Sequence, residues 1–187
     1  MRKWTWASAS LAPVALIGGW TAAAARQPPS YDAVRETISA LAEHGAPDRW
    51  IMTAGLAVLG VCHLVTASGL SEAAPAGRVL LAVGGAATVG VALAPQPSVA
   101  HVPAAAVGFV ALAVWPSAAR VPGRRSAFLA SAVLLTLLVW LAVELGGGEL
   151  LGVSERFLAG AQALWPLLVV WYVFRRHHGA ARTARRC

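Results

Sequence analysis

The sequence predicts an all-α, polytopic integral membrane protein with six transmembrane helices and both termini in the cytoplasm. The chain is 58% hydrophobic and only 12% charged, a composition outside the range of ordinary soluble domains. Six nearly uncharged stretches of about 16 to 20 residues each approach the length that a helix needs to cross a bilayer. Short loops join them, so one six-helix domain fills residues 1–187. The predicted spans are residues 8–25, 50–69, 79–94, 101–119, 128–145 and 157–174.

The distribution of arginine predicts which side of the membrane each loop faces. Arg2 and Lys3 precede the first span, a cluster of Arg without acids lies in residues 120–125, and residues 175–187 form a basic tail. Because cytoplasmic loops carry the excess of Lys and Arg, these three segments are predicted to be cytoplasmic. Residues 26–49 and 146–156 then lie outside, as expected for a multi-pass protein of the cell membrane.

The first span also has a second interpretation, as a cleavable signal peptide. Arg2 and Lys3 give a charged start, and small residues at 22–25 resemble a cleavage region. Gly18, Gly19 and Trp20 lengthen the apolar run beyond the usual signal core. This length favours a retained helix.

The formal net charge of +7 indicates a membrane surface rather than nucleic acid as the partner. The surplus cations lie in short loops beside apolar spans, where they face anionic lipid headgroups. Membrane lipids are therefore the predicted partners, a partner protein remains possible, and no nucleic acid is expected. Cys62 lies within a span and Cys187 is the last residue, so the two are not expected to form a disulfide.

The longest loop, residues 26–49, contains apolar residues at helical spacing. Val34, Ile38 and Leu41 recur at i, i+4 and i+7, which predicts a short helix lying along the outer surface. Gly45 and Pro47 would end it. The alternative is a connector without regular structure.

The third span carries small residues at every fourth position: Ala82, Ala86, Gly90 and Ala94. Such a stripe permits close approach of a neighbouring helix in lipid, where the hydrophobic effect does not drive helices together. The alternative is that an alanine-rich sequence produces the stripe by chance.

Two polar residues, His63 and Gln162, interrupt the spans. Ionisable residues within a span are candidates for function, although a neutral imidazole bonded to a neighbouring helix also explains His63. His63 lies about 20 Å along its helix from Trp50, at 1.5 Å per residue. His101 lies at the opposite, outer mouth of the fourth span, so the two histidines cannot share a metal ion. No metal site and no cofactor is predicted.

A larger set of polar residues is expected in one layer at the outer interface. This layer could bind a lipid headgroup, pair across helices or chelate a cation, or it could simply be solvated. No catalytic residue is assigned within it. The candidate site residues of this layer are Glu36, Ser39, Asp48, Arg49, His101, Glu155 and Arg156.

Several segments together resemble the prokaryotic six-span membrane family catalogued as domain of unknown function 998. The resemblance covers about residues 11–174 and implies a six-helix membrane fold with signature polar residues at the outer end, but no agreed activity. A fainter likeness links the first outer loop to damage-regulated autophagy modulator-type proteins, although Ala40 replaces the acid that they carry after the serine. The segments that carry the resemblance are residues 36–41, residues 46–52, Gly55, Gly60, His101 and residues 154–156.

Three functional hypotheses follow. The first is a non-enzymatic protein whose outer polar layer recognises a lipid headgroup or a partner protein. The second is an intramembrane enzyme acting on a lipid, with His101 as base and Glu36 or Glu155 as its partner. The third is a small-solute carrier, which requires a water-lined cavity reaching His63 and Cys62.

Overall fold

The structure, a computed structural model, describes the backbone of residues 2–184 and the side chains of residues 2–176. It confirms an all-α chain with six helices that are long and apolar enough to span a membrane, and no strand occurs between residues 2 and 184. Beyond residue 176, the side chains of the predicted basic tail lie outside the described part. The six helices are α1 (Lys3–Ala24), α2 (Trp50–Gly69), α3 (Pro75–Leu93), α4 (His101–Ala119), α5 (Arg124–Glu144) and α6 (Leu151–Ala184).

Several helices begin before the predicted apolar runs, because polar first turns can extend past the hydrocarbon region. Pro75 opens α3, at a position where a missing backbone N–H costs nothing. Arg120 follows α4 with a left-handed φ of 60°, which ends that helix. At the inner end of α6, the guanidinium of Arg175 lies 4.1 Å from the ring centre of Trp171.

The helices form a closed ring in chain order, since each packs against the next and α6 returns to α1. α6 also touches α2 and α4, which brings its inner face to the centre of the ring. One buried apolar cluster, including Leu16, Met52 and Leu56, fills the half nearer residues 26–49. A second, including Leu81 and Trp115, fills the half nearer residues 120–125.

Glycines on α2 and α3 allow the backbones of these two helices to meet. A Cβ at Gly60 would lie 2.6 Å from the Gly85 carbonyl oxygen, and a Cβ at Gly85 would lie 2.7 Å from that of Gly60. The predicted contact stripe of Ala82, Ala86, Gly90 and Ala94 is wrong at Ala86, which is exposed on the outside of the ring. Ala82 packs partly buried against the second cluster, and a Cβ at Gly90 would lie 3.6 Å from the Ala104 Cβ.

The helix predicted within residues 26–49 is also wrong, except for one short turn. A 3-10 helix forms at Ser39–Ala42, with Ile38 and Leu41 buried beside it, while Val34 is 44% exposed. The Asp32 carboxylate accepts a hydrogen bond from the Val34 N–H at 2.8 Å, and such a local bond competes with helix formation. The 3-10 helix ends at Ala42, before the predicted end at Gly45, and Gly45 instead adopts a left-handed turn conformation with a φ of +98°.

Candidate functional site

Glu155 holds the first outer loop against the start of α6. Its side chain is buried, and its carboxylate accepts hydrogen bonds from the Ile38 backbone N–H and, at 3.4 Å, from the Ser39 hydroxyl. A carboxylate withdrawn from water needs such donors to offset the loss of hydration. The loop at Ile38 and Ser39 is therefore fixed directly above the centre of the ring.

Arg156 fixes the preceding part of the same loop. Its guanidinium donates to the carbonyls of Ala33 at 2.9 Å and Glu36 at 2.8 Å, and to the Tyr31 hydroxyl at 2.5 Å. Gly152 permits this approach, since a Cβ there would collide with the Glu36 carbonyl oxygen. We call residues 31–42, with Gly152, Glu155 and Arg156, the loop anchor.

Tyr31 remains a neutral partner within the loop anchor. Burial raises the pKa of its phenol above the ordinary value, and the Arg156 guanidinium opposes that rise without cancelling it. A raised pKa means that the hydroxyl stays protonated throughout the physiological pH range. Tyr31 therefore accepts the Arg156 hydrogen bond as a neutral group.

The remaining outer polar residues are engaged elsewhere and do not converge on one point. The Glu36 carboxylate accepts from the Asp32 N–H within its own loop at 2.9 Å. Asp48 lies 3.9 Å from the Arg26 guanidinium, and Arg49 lies 3.2 Å from the His44 ring. These contacts order the loop rather than form a common site.

His101 has a structural position at the junction of α3 and α4. Its ring is buried, and its Nδ1 lies 2.9 Å from the Ala94 carbonyl oxygen just past the end of α3. The ring therefore satisfies a carbonyl at a helix end. This contact differs from the pairing with Glu36 or Glu155 that the enzyme hypothesis requires.

A cavity of about 60 Å³ lies inside the ring beneath the loop anchor. The loop, α1, α2, α3, α4 and α6 all contribute to its walls, which are mainly apolar and include Leu56, Leu59 and Phe109. Dry apolar cavities of about 150 Å³ admit benzene. By that comparison, this cavity accepts a smaller group of a few heavy atoms. Its polar lining residues are Ser39, His63, Thr88, Glu155 and Gln162.

Two of these residues present polar atoms that have no protein partner. His63 is 1% exposed, and neither of its ring nitrogens is hydrogen-bonded. Gln162 donates from Nε2 to the Phe109 carbonyl at 2.8 Å, while its Oε1 is unpaired. Buried polar groups without partners are uncommon because each has lost its hydration without replacement. His63 and Gln162, which both line the cavity, thus carry three unpaired polar atoms between them, and this makes the cavity the candidate binding site.

Four of the five polar residues that line the cavity were singled out from the sequence, but it was not predicted that they lie around one cavity. His63 and Gln162 were expected as isolated polar residues, and Ser39 and Glu155 as part of the outer layer. Thr88, which donates to the Gly84 carbonyl at 2.8 Å, was missed. Spacing offered one signal, since Glu155, Ala159 and Gln162 recur at i, i+4 and i+7 on one face of α6.

Two further sequence predictions concern Cys62 and metal binding. Cys62 is buried and free, but it is absent from the cavity lining, unlike its neighbour His63. Within the described part of the chain, no group of three His, Cys, Asp or Glu side chains is placed to hold a metal ion.

Six helices that are long and apolar enough to cross a membrane, packed around a mainly apolar cavity, define a multi-pass membrane protein. A family model described as protein of unknown function DUF998 matches residues 10–172, and the chain belongs to this family. No curated protein and no solved structure matches the chain. The fainter likeness to damage-regulated autophagy modulator-type proteins is accordingly not confirmed.

Proposed function

We propose that this protein is a non-enzymatic binding protein that holds a lipophilic small molecule by a polar group within the cavity. The observation that carries the proposal is the set of three unpaired polar atoms on His63 and Gln162, two of the residues that line this mainly apolar cavity. A mostly apolar pocket with a few convergent polar groups is the usual form of a small-molecule site.

This proposal refines the idea of recognition at the outer face. Ser39 and Glu155 form the polar roof of the cavity, and Arg156 holds the loop that carries that roof. Asp48, Arg49 and His101 act indirectly, by ordering the adjoining segments. A headgroup held beneath the loop anchor would be shielded from water, which strengthens each hydrogen bond that it makes.

The enzyme and carrier alternatives receive less support from the geometry. His101 contacts a backbone carbonyl, and the Glu155 carboxylate is committed to the loop at Ile38 and Ser39. The cavity reaches His63, as a carrier requires, but Cys62 does not line it. Binding without chemistry needs only the groups that the cavity presents.

The experiment for the proposed function is photolabelling of the protein in lipid nanodiscs with 3-azibutanol, a four-carbon alcohol carrying a diazirine. Ala159 lines the cavity, so Ala159→Leu should fill much of it and reduce saturable labelling at least fivefold. Ala86→Leu is the matched control, since Ala86 is exposed on the outside of α3. Equal saturable labelling of the Ala159→Leu variant and wild type would contradict the proposal.

We further propose that the protein lies in the plasma membrane with both termini cytoplasmic, so that the loop anchor faces outward. The arginine distribution supports this orientation. Retention of α1 is favoured by packing, since Leu16 lines the cavity and cleavage would remove that wall.

Reporter fusions test the orientation. A fusion after Cys187 should be active only as a cytoplasmic reporter, and an insertion near Gly147 only as an exported one. An exported signal from the Cys187 fusion would reverse the proposed orientation of the C-terminus.

A further inference from the structure

We propose that the group recognised in the cavity is a neutral hydroxyl, and that His63 and Gln162 determine this specificity. The proposal rests on the proposed function and names the ligand chemistry of the same site. Its basis is the difference between the polar atoms of these side chains that already have a hydrogen-bond partner in the protein and those that have none.

Gln162 offers an acceptor to the cavity. Its Nε2 lies 2.8 Å from the Phe109 carbonyl oxygen, and only the nitrogen end of the amide can donate there. The reversed amide would place two oxygens in contact without a hydrogen between them. This bond fixes Oε1 as the unpaired atom, and Oε1 can only accept a hydrogen bond.

His63 offers both a donor and an acceptor. A neutral imidazole carries one N–H and one bare nitrogen, and neither ring nitrogen of His63 has a protein partner. The ring is 1% exposed, with its Cβ next to Gly85 of α3. The other titratable group lining the cavity is Glu155, whose carboxylate is bonded to the loop.

A hydroxyl complements this set because it donates one hydrogen bond and accepts others. It can donate to Gln162 Oε1 while accepting from the His63 N–H. An ether oxygen accepts but leaves Gln162 unsatisfied, and a hydrocarbon satisfies neither residue. Sites built to bond a hydroxyl discriminate strongly against analogues that lack it, because their own polar groups are then left unpaired.

Charged groups fit the cavity less well than a hydroxyl does. A carboxylate would enter a small, mainly apolar space that already contains the Glu155 carboxyl group and has no Arg or Lys on its lining, so the loss of its hydration would not be offset. An ammonium could not accept from the His63 N–H. An ammonium would also need the Glu155 carboxyl group as its acceptor. That group already accepts hydrogen bonds from the Ile38 N–H and the Ser39 hydroxyl.

Matched photoprobes test the proposal with the full-length protein in nanodiscs. The probes are 3-azibutanol, its methyl ether, the corresponding amine and the parent azibutane, and the readout is the half-saturating concentration for labelling of cavity residues. For wild type, 3-azibutanol should saturate at a concentration at least about tenfold below that of its methyl ether. Azibutane should bind no better than the ether.

Two variants assign the preference to its residues. Gln162→Met and His63→Leu keep similar side-chain volume and remove the hydrogen-bonding atoms, so each should reduce the alcohol-to-ether ratio toward one. Ala86→Leu, on the exposed face of α3, should leave the ratio unchanged. The alcohol and the ether are also compared on the wild-type protein. The proposal can therefore be tested even if a variant does not fold.

The outcomes separate the two proposals. Saturable cavity labelling with equal affinities for alcohol and ether would overturn hydroxyl recognition while leaving the binding function intact. Tighter binding of the amine than of the alcohol would overturn it in favour of Glu155 as the recognising group. If none of the probes labelled the cavity saturably, the binding function and the hydroxyl inference would both be overturned.

Discussion

Replacement of Glu155 by alanine is expected to destabilise the protein by about 3 kcal/mol, because the Ile38 N–H and the Ser39 hydroxyl lose their acceptor and are left unpaired. For a chain of this size, that loss corresponds to a fall of roughly 6 to 12 °C in the midpoint of thermal unfolding. The loop anchor should also become mobile, so that trypsin cleaves faster after Arg35, which is exposed but held in a fixed loop in the wild type. Thermal unfolding in detergent and limited proteolysis measure the two effects.

Glu149→Ala provides the matched control for that substitution. Glu149 is also an outer carboxylate, but its side chain is 82% exposed and lies 3.5 Å from an Arg35 that is itself exposed. Solvent-screened pairs of this kind contribute little, so the change should be below about 0.5 kcal/mol. If the two variants unfolded at the same temperature, Glu155 would not hold the loop.

Replacement of Gly60 by alanine should cost at least about 2 kcal/mol, since overpacking forces backbones apart. The new Cβ would lie 2.6 Å from the Gly85 carbonyl oxygen and 2.9 Å from the Val89 nitrogen, and neither backbone atom can rotate away. α2 and α3 must therefore separate, which disturbs the cavity wall that both helices provide. The measurement is again the midpoint of thermal unfolding.

Gly18→Ala is the control for the glycine experiment. Gly18 also lies inside a helix, but a Cβ there meets nothing within 4 Å. Alanine has the higher helix propensity, so this variant should be as stable as wild type or slightly more stable. A Gly60→Ala protein as stable as Gly18→Ala would show that the α2–α3 contact is looser than described.

The fold could be predicted from the sequence because each span depends on its own composition. A helix that must satisfy all its backbone groups within lipid needs only length and apolarity, and those are visible in α2 or α5 without knowledge of neighbours. The contact face of α3 depends instead on its partners. An alanine-rich surface gives several equivalent stripes, so the sequence could not show that Gly85 rather than Ala86 faces another helix.

The first outer loop shows why local periodicity was misleading. Ile38 and Leu41 are buried as their spacing indicated, but the backbone around them bonds to Glu155 and Arg156, which lie more than a hundred residues later. Those long-range hydrogen bonds replace the backbone hydrogen bonds that a helix would form within the loop. Glu155 and Arg156, at the start of α6, therefore determine the loop conformation. The spacing of apolar residues within the loop gives no information about these distant partners.

The candidate site was only partly predictable for the same reason. His63 and Gln162 were conspicuous as polar residues within apolar spans, and Glu155 as a charge at a helix mouth. Their common cavity depends on α6 lying close to both α2 and α4, which no segment specifies alone. The unpaired atoms of His63 and Gln162 became visible only once the packing was known.

The central claim is that the hydroxyl end of a small lipophilic alcohol occupies the cavity inside the helix ring. The most direct test is to map the 3-azibutanol adducts on wild-type protein by mass spectrometry of its peptides, with and without excess butanol. The predicted result is adducts on cavity residues such as Leu59, Phe109 and Ala159 that butanol suppresses. Adducts confined to exposed, lipid-facing residues such as Val61 and Val110, and unaffected by butanol, would contradict the claim.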